Sequence, residues 1–312
     1  MNWFKPRLHT KNHAVLTPIT GGIAAMRAQD DGVQARVLAY VQLDAESGID
    51  RGPLAADSLR RAAGEVDIKS TPLIVLLNSD SYQTLIVEAP SVPDNELRSA
   101  IRWKVKDLLS FHIDDAVIDH LPVPGGGGRP ATLYVVAAQS SVIRALAQPF
   151  HDADLQLDVI DIRETAQHYL AMRIAPPDYA VAVLHFDGEN GLLTFSFGAS
   201  LIMSRRIEGR GAAGESLFDK VALETQRSVD YFERQYSWHS LAKLYLAPMS
   251  QAPAMLRRLN EYLPIGSESF DLTKLFDLSG QPALQDVRTQ NTAFHVLGAS
   301  LRHHAGLAGK AK

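Results

Sequence analysis

The sequence predicts an α/β protein made of two similar halves. Three observations carry that expectation. Each half opens with three short apolar segments separated by turn residues, the pattern of a strand meander. Each meander is followed by alternating helix-period and short apolar segments, as expected of helices packed on a sheet. Pro176-Pro177 breaks the chain between the halves, because proline neither continues a helix nor donates to a central ladder. The halves are therefore placed at 1–175 and 176–312, with a small inserted subdomain at about 90–140.

In the first half, Ala14–Thr17 and Ile23–Ala28 read as strands. Asp30-Asp31-Gly32 is a turn signal, since glycine takes positive φ without steric cost. Val33, Ala35, Val37, Ala39 and Val41 then alternate on one face of a third strand. A helix follows at Pro53–Ala63, with Pro53 suited to its first turn. The unbroken apolar run Leu73–Leu77 suits a strand buried on both faces. Gln83–Glu88 is a strand and Pro93–Ser110 a helix with Leu97, Ala100, Ile101, Val105 and Leu108 on its buried stripe. Val117–Pro122 and Thr132–Gln139 form a hairpin around Gly125–Gly128. That glycine run is not a phosphate loop, because no GK[ST] follows and it joins two strands. Ser140–Phe150 is a helix, Leu155–Ile162 a strand with Asp158 and Asp161 in a solvated turn, and Glu164–Ile174 a helix.

In the second half, strands are expected at Ala180–Phe186, Leu192–Phe197 and Leu201–Ile207. Glu215–Tyr236 is a long amphipathic helix with Phe218, Val221, Thr225, Val229, Phe232 and Tyr236 as its stripe. Asp230 and Arg234 can pair one turn apart on it. Leu241–Ala247 is a buried strand, Ala254–Leu263 a helix and Phe270–Leu272 a short extended piece. The last helix, Thr292–His303, could pack back on the first half.

Composition narrows the function. A chain of 312 residues with 46% hydrophobic and 21% charged residues is ordinary for a globular protein. A net charge of -4 without a basic block gives no field for holding nucleic acid. The absence of cysteine excludes disulfides and thiolate metal sites and fits a reducing compartment. Among the eleven histidines, including His112, His120, His239, His295 and His303-His304, no pair has metal-ligand spacing, so no metal is expected. No G-x-S-x-G elbow surrounds a serine, and no catalytic residue is assigned. No run reaches the ~18 apolar residues of a membrane span. The basic N-terminus, with Trp3, Phe4, Lys5 and Arg7, is either a frayed end or a weak interfacial contact.

Three segments carry a resemblance. VPDNELRSAIRWKVKDLLSFHID at Val92–Asp114 looks like the "ELxxAIRWxxxxxxPF" segment of the PilM family of type IV pilus assembly proteins and its MSHA-type relative MshI. ETQRSVDYFERQY, ending at Tyr236, resembles that family's "EIQRSLDYYxxQ" helix, and AFHVLGASLRHH its final "GLALR" helix. The two-half layout is that of the actin/sugar-kinase/Hsp70 superfamily. The resemblance implies a two-domain actin-like (ribonuclease H-like, duplicated) fold with a nucleotide cleft between the domains. It implies a cytoplasmic scaffold, peripheral on the inner membrane, that binds the cytoplasmic N-terminal peptide of a bitopic PilN/MshJ-like partner and, through it, the pilus assembly ATPase complex.

Nucleotide chemistry in that superfamily needs acidic residues to hold Mg²⁺ and glycines that bring backbone N–H groups to the phosphates. The first hairpin, LTPITGGIAAMRA, has no acid between His13 and Gln29. At the second, VLHFDGENGLLTFSF, His185 stands where the family has Asp. The adenosine segment, LYLAPMSQAPAM, has Pro248 and Pro253 and no glycine. A degenerate pseudo-ATPase with no bound ATP or Mg²⁺ is expected; the alternative is an active ATPase of the same machinery, using Gly21, Gly22, Asp187 and Gly188. Arg102, Trp103 and Lys106 are candidate partner contacts, since aromatic and arginine residues are enriched at interface hot spots.

Overall fold

The computed structural model describes residues 12–44, 55–68, 71–209, 211 and 214–302. Trp3 to Arg7, Pro53 and His303-His304 lie outside them.

The first sheet begins with the antiparallel meander β1 (Asn12–Ile19), β2 (Gly22–Asp30) and β3 (Ala35–Asp44). Helix α1 (Ala56–Glu65) leads to β4 (Leu73–Leu76), which pairs parallel with β1. Then β5 (Gln83–Glu88), α2 (Asp94–Val105), β6 (Ala116–Val123) and β7 (Thr132–Gln139) form a separate antiparallel sheet in the order β5-β7-β6. Helix α3 (Ser140–Asp152) returns the chain to β8 (Leu157–Asp161), parallel to β4, and α4 (Arg163–Ile174) follows.

The second half repeats the layout. Strands β9 (Ala180–Phe186), β10 (Asn190–Phe197) and β11 (Ser200–Glu208) make a meander, and α5 (Glu215–Gln235) precedes β12 (Leu241–Leu246), parallel to β9. Helix α6 (Ala252–Tyr262) leads to β13 (Ser267–Ser269), parallel to β12. The sheet orders β3-β2-β1-β4-β8 and β11-β10-β9-β12-β13 are the same topology twice. A last two-residue strand, β14 (Phe276–Asp277), joins the edge of the first sheet beside β3, and α7 (Val287–Ser300) ends the described chain.

Two helices are exchanged between the halves. α4 packs on β9, β10 and β11, whereas α7 packs on β1, β2 and β4, and the two helices lie against each other. Buried between layers, α4 is enclosed from Glu164 to Ala171. Burial asks its polar side chains for partners, and Gln167 and His168 find theirs on the second sheet and α7. Gln167 donates to the carbonyls of Val183 and Leu192 and to Thr194, and its own oxygen meets His295 Nε2 at 3.1 Å. His168 bonds Ser196 Oγ at 2.8 Å.

The long helix keeps its predicted stripe, with Phe218, Val221, Thr225, Val229, Phe232 and Tyr236 all buried. Among the described residues, the ion pair within this helix is Glu224–Arg227 and not the expected Asp230–Arg234. Three other expectations need correction. Helix α2 stops at Val105, so Leu108 leaves the stripe and stands 54% exposed, while Leu109 packs inward. Asp161 is fully buried, not solvated, because Arg302 from the far end of the chain pairs with it. Asp158 does stay exposed, and its carboxylate accepts the Leu73 N–H at 3.0 Å. Helix α7 starts five residues before the expected Thr292, at Val287, because the Asp286 side chain accepts the Thr289 N–H and caps it.

Candidate functional site

The concave site lies where the two meanders face each other. Hairpin β1–β2 brings Thr20 to it, hairpin β9–β10 brings Asp187 and Glu189, and the end of β4 brings Asn78. Arg163 enters from the first turn of α4, and Asn291 and His295 from α7. One lobe has a volume of about 380 Å³ and the adjoining lobe, walled by Tyr82, Glu164 and Arg206, about 410 Å³. Such positions at strand ends and between two sheets are where α/β folds place ligands.

Each hairpin turns on a glycine. Gly21 has φ +78° and Gly188 φ +104°. Gly22 carries no side chain because a Cβ would collide with the Leu43 carbonyl on β3. In the second hairpin, Asp187 Oδ1 accepts the N–H groups of Glu189 at 3.0 Å and Asn190 at 2.7 Å. That oxygen closes its own turn.

Behind the hairpins lies a packed histidine pair. His185 and His295 have ring centroids 4.4 Å apart, and His185 stacks on Phe294 at 5.6 Å. His185 Nε2 bonds the Asn291 carbonyl at 3.0 Å. Burial pushes the His185 imidazole down to about 4, and burial, with His185 and Arg163 nearby, holds His295 well below the usual imidazole range. Both rings are therefore neutral at pH 7. Among the described residues, Arg163 makes no hydrogen bond or ion pair, so its guanidinium is the uncommitted cation of the cleft.

The second lobe rests on a buried carboxyl. Tyr82 donates its hydroxyl to Glu164 Oε2, while Arg206 of β11 lies 3.7 Å from Oε1. Burial raises the Glu164 carboxyl above its usual range, against the opposing pull of Tyr82 and Arg206. This chain crosses from the first half, through α4, to the second. Nothing periodic in the sequence marks Tyr82, Arg163, Glu164 or Arg206, and all four were missed. Only the place of Arg163 and Glu164 at a helix start, directly after a strand, pointed to them.

The predicted partner contacts lie elsewhere, on α2, and do not line the cleft. Arg102 turns inward and donates to the carbonyls of Ile113 at 2.6 Å and Ala116 at 3.0 Å. Trp103 is 73% exposed, and Lys106 Nζ sits 3.6 Å over its ring.

No family model matches the chain, and no curated protein matches it by sequence. Solved structures do. A chain described as the PilM-PilN type IV pilus biogenesis complex superposes with a TM-score of 0.73 at 16% identity, covering 96% of this chain and 99% of that one. The cytoplasmic domain of EpsL, an inner membrane component of the type II secretion system of Vibrio cholerae, gives a TM-score of 0.50 at 13% identity, covering 91% and 94%. The fold is actin-like. The cleft described above is the space between its two domains.

Proposed function

We propose that this protein is a non-catalytic actin-like scaffold of a type IV pilus or related secretion assembly. It sits in the cytoplasm on the inner membrane, held by the cytoplasmic N-terminal peptide of a bitopic partner, and serves an MSHA-type system. The full-length likeness to a pilus assembly chain supports the assembly role. Among the described residues, no helix is long and apolar enough to cross a membrane, which suits anchoring through a partner.

The observation that carries the non-catalytic reading is the polar set of the cleft. A magnesium nucleotide needs carboxylates free to hold the metal's waters and backbone N–H groups free for phosphates. The first hairpin offers no carboxylate. At the second, His185 is neutral and tied to α7, and one oxygen of Asp187 is committed to its own turn. On the base side, Pro248 follows β12, and its carbonyl accepts from Asn291 at 2.7 Å. The carboxylates left to the first lobe of the cleft, Glu189 and the second oxygen of Asp187, both come from one hairpin, which supports the non-catalytic reading over a magnesium-nucleotide site. An active ATPase of the same machinery is the second reading, favoured by the glycine turns that survive at Gly21-Gly22 and Asp187-Gly188.

On the partner side, Trp103 and Lys106 are the contacts proposed, and Arg102 supports the helix that carries them. The test is fluorescence anisotropy with a labelled N-terminal peptide from a co-produced bitopic inner-membrane protein. Saturable binding is expected, unchanged by ATP with Mg²⁺ and weakened at least tenfold by Trp103→Ala. Binding that needs nucleotide, or none at all, would sink the proposal.

A further inference from the structure

The inserted sheet is joined covalently to the first half, yet it also touches the second at two places. Near the body, Tyr134 Oη of β7 and Ser204 Oγ of β11 share a hydrogen bond of 2.7 Å. Farther out, the β6–β7 hairpin lays Gly126 and Gly127 across the indole of Trp238, just beyond α5. A Cβ at Gly126 would fall 2.5 Å from Trp238 Cδ1 and 2.8 Å from Cε2, and one at Gly127 would fall 2.8 Å from Cε3. No side chain fits under this loop. Gly127 and Gly128 also take φ of +57° and +80°. Gly126 and Gly127 are thus explained by contact with a ring and not with a phosphate, Gly125 by the backbone of Arg129–Ala131 that crowds it, and Gly128 by its positive φ. Arg129 completes the fastening, donating to the Gln235 side-chain oxygen and reaching the Arg234 carbonyl at 3.5 Å. Both acceptors lie in the last turn of α5, where a cation suits the helix dipole.

The contact is close in shape but poor in polar partners. Trp238 Nε1 is buried with no acceptor, and both ring nitrogens of the adjacent His239 are buried without partners. A buried donor left unmade is costly, and Trp238 Nε1, which lies under Gly126, would regain water if the loop lifted. The fit favours the closed contact while the orphaned indole nitrogen opposes it, which makes this fastening releasable in a way a fully satisfied core is not.

We propose that the tetraglycine hairpin is a strap between the halves: seated on Trp238 it holds them closed over the cleft, and lifted it frees the second half to swing. The proposal stands apart from the partner assignment, since it needs no ligand.

The absence of cysteine makes the test direct. Thr20→Cys and Glu189→Cys, on the two hairpins that face each other across the cleft, carry spin labels for pulsed distance measurement. The parent chain is expected to give one narrow distribution. Gly126→Val, which cannot seat, should add a longer population and speed amide exchange of residues 125–129 about 5- to 30-fold. Trp238→Ala with Arg129→Ala should do the same, and serves if Gly126→Val fails to fold. One unchanged narrow distribution in the strap variants, or a parent already broad and unaltered by them, overturns the proposal.

Discussion

The close crossing of α4 and α7 gives a sharp prediction at Gly298. A Cβ added there would fall 2.7 Å from the Ala166 carbonyl carbon, nearer still to its oxygen, and 3.2 Å from Leu170 Cδ1. Ordinary carbon contacts lie at about 3.5–4.0 Å, so the helices must part by roughly 1 Å. The obstacle is backbone and cannot rotate away. Overpacking of this kind costs about 1–3 kcal/mol, and the upper end applies where the neighbour cannot yield. Alanine returns up to ~1 kcal/mol of helix propensity over glycine. The expected net effect of Gly298→Ala is a loss of about 2 kcal/mol, with further weakening of the His295–Gln167 and Arg302–Asp161 bonds that span the same crossing. Gly64→Ala in α1 is the control. A Cβ there meets nothing within 4 Å, so the same substitution should stabilise by up to ~1 kcal/mol. Urea denaturation of both variants is the assay. A Gly298→Ala protein as stable as its parent would refute the reasoning.

Two further outcomes follow from buried titratable groups. Burial holds the His168 and His185 imidazoles at about 4 and His295 well below its usual range, against about 6.5 in an unfolded chain, so the unfolded state binds more protons below pH 6.5. Their contribution is full above that value and drains as pH falls toward 4; urea midpoints should drop between pH 7 and pH 5, and a flat profile would contradict the neutral packing. Burial raises the Glu164 carboxyl, so the stability it lends is present below the unfolded carboxyl's range and lost as pH rises through the folded value. Glu164→Gln should therefore match or exceed the parent at pH 7, whereas Arg206→Ala, which strips the counter-charge from Oε1, should cost about 1–3 kcal/mol; the reverse order would refute this account of the trio.

The sequence made the repeated meanders legible because their apolar period and turn glycines are local signals. The stripe of α5 was equally legible, since a 21-residue helix repeats its pattern many times. What escaped depended on distant partners. Asp161 looks like a solvated turn residue until Arg302, 141 residues away, is brought against it by α7. The helix of α2 looked longer than it is because Leu108 continues the spacing, yet the chain turns after Val105 and the exposed face gains a leucine. The exchange of α4 and α7 between sheets is invisible to periodicity, because a helix buried on all sides has no stripe to read. In the cleft, the lack of an acid in the first hairpin could be read directly from the sequence. The neutral histidine pair and the Glu164 trio could not, since each joins groups from separate elements.

The central claim is that the cleft of this actin-like fold no longer takes a magnesium nucleotide. Isothermal titration of the purified full chain with ATP in the presence of Mg²⁺ tests it most directly. The account predicts no saturable heat, with any association weaker than about 1 mM. A saturable, Mg²⁺-dependent isotherm that Asp187→Asn abolishes would contradict it and favour an active ATPase.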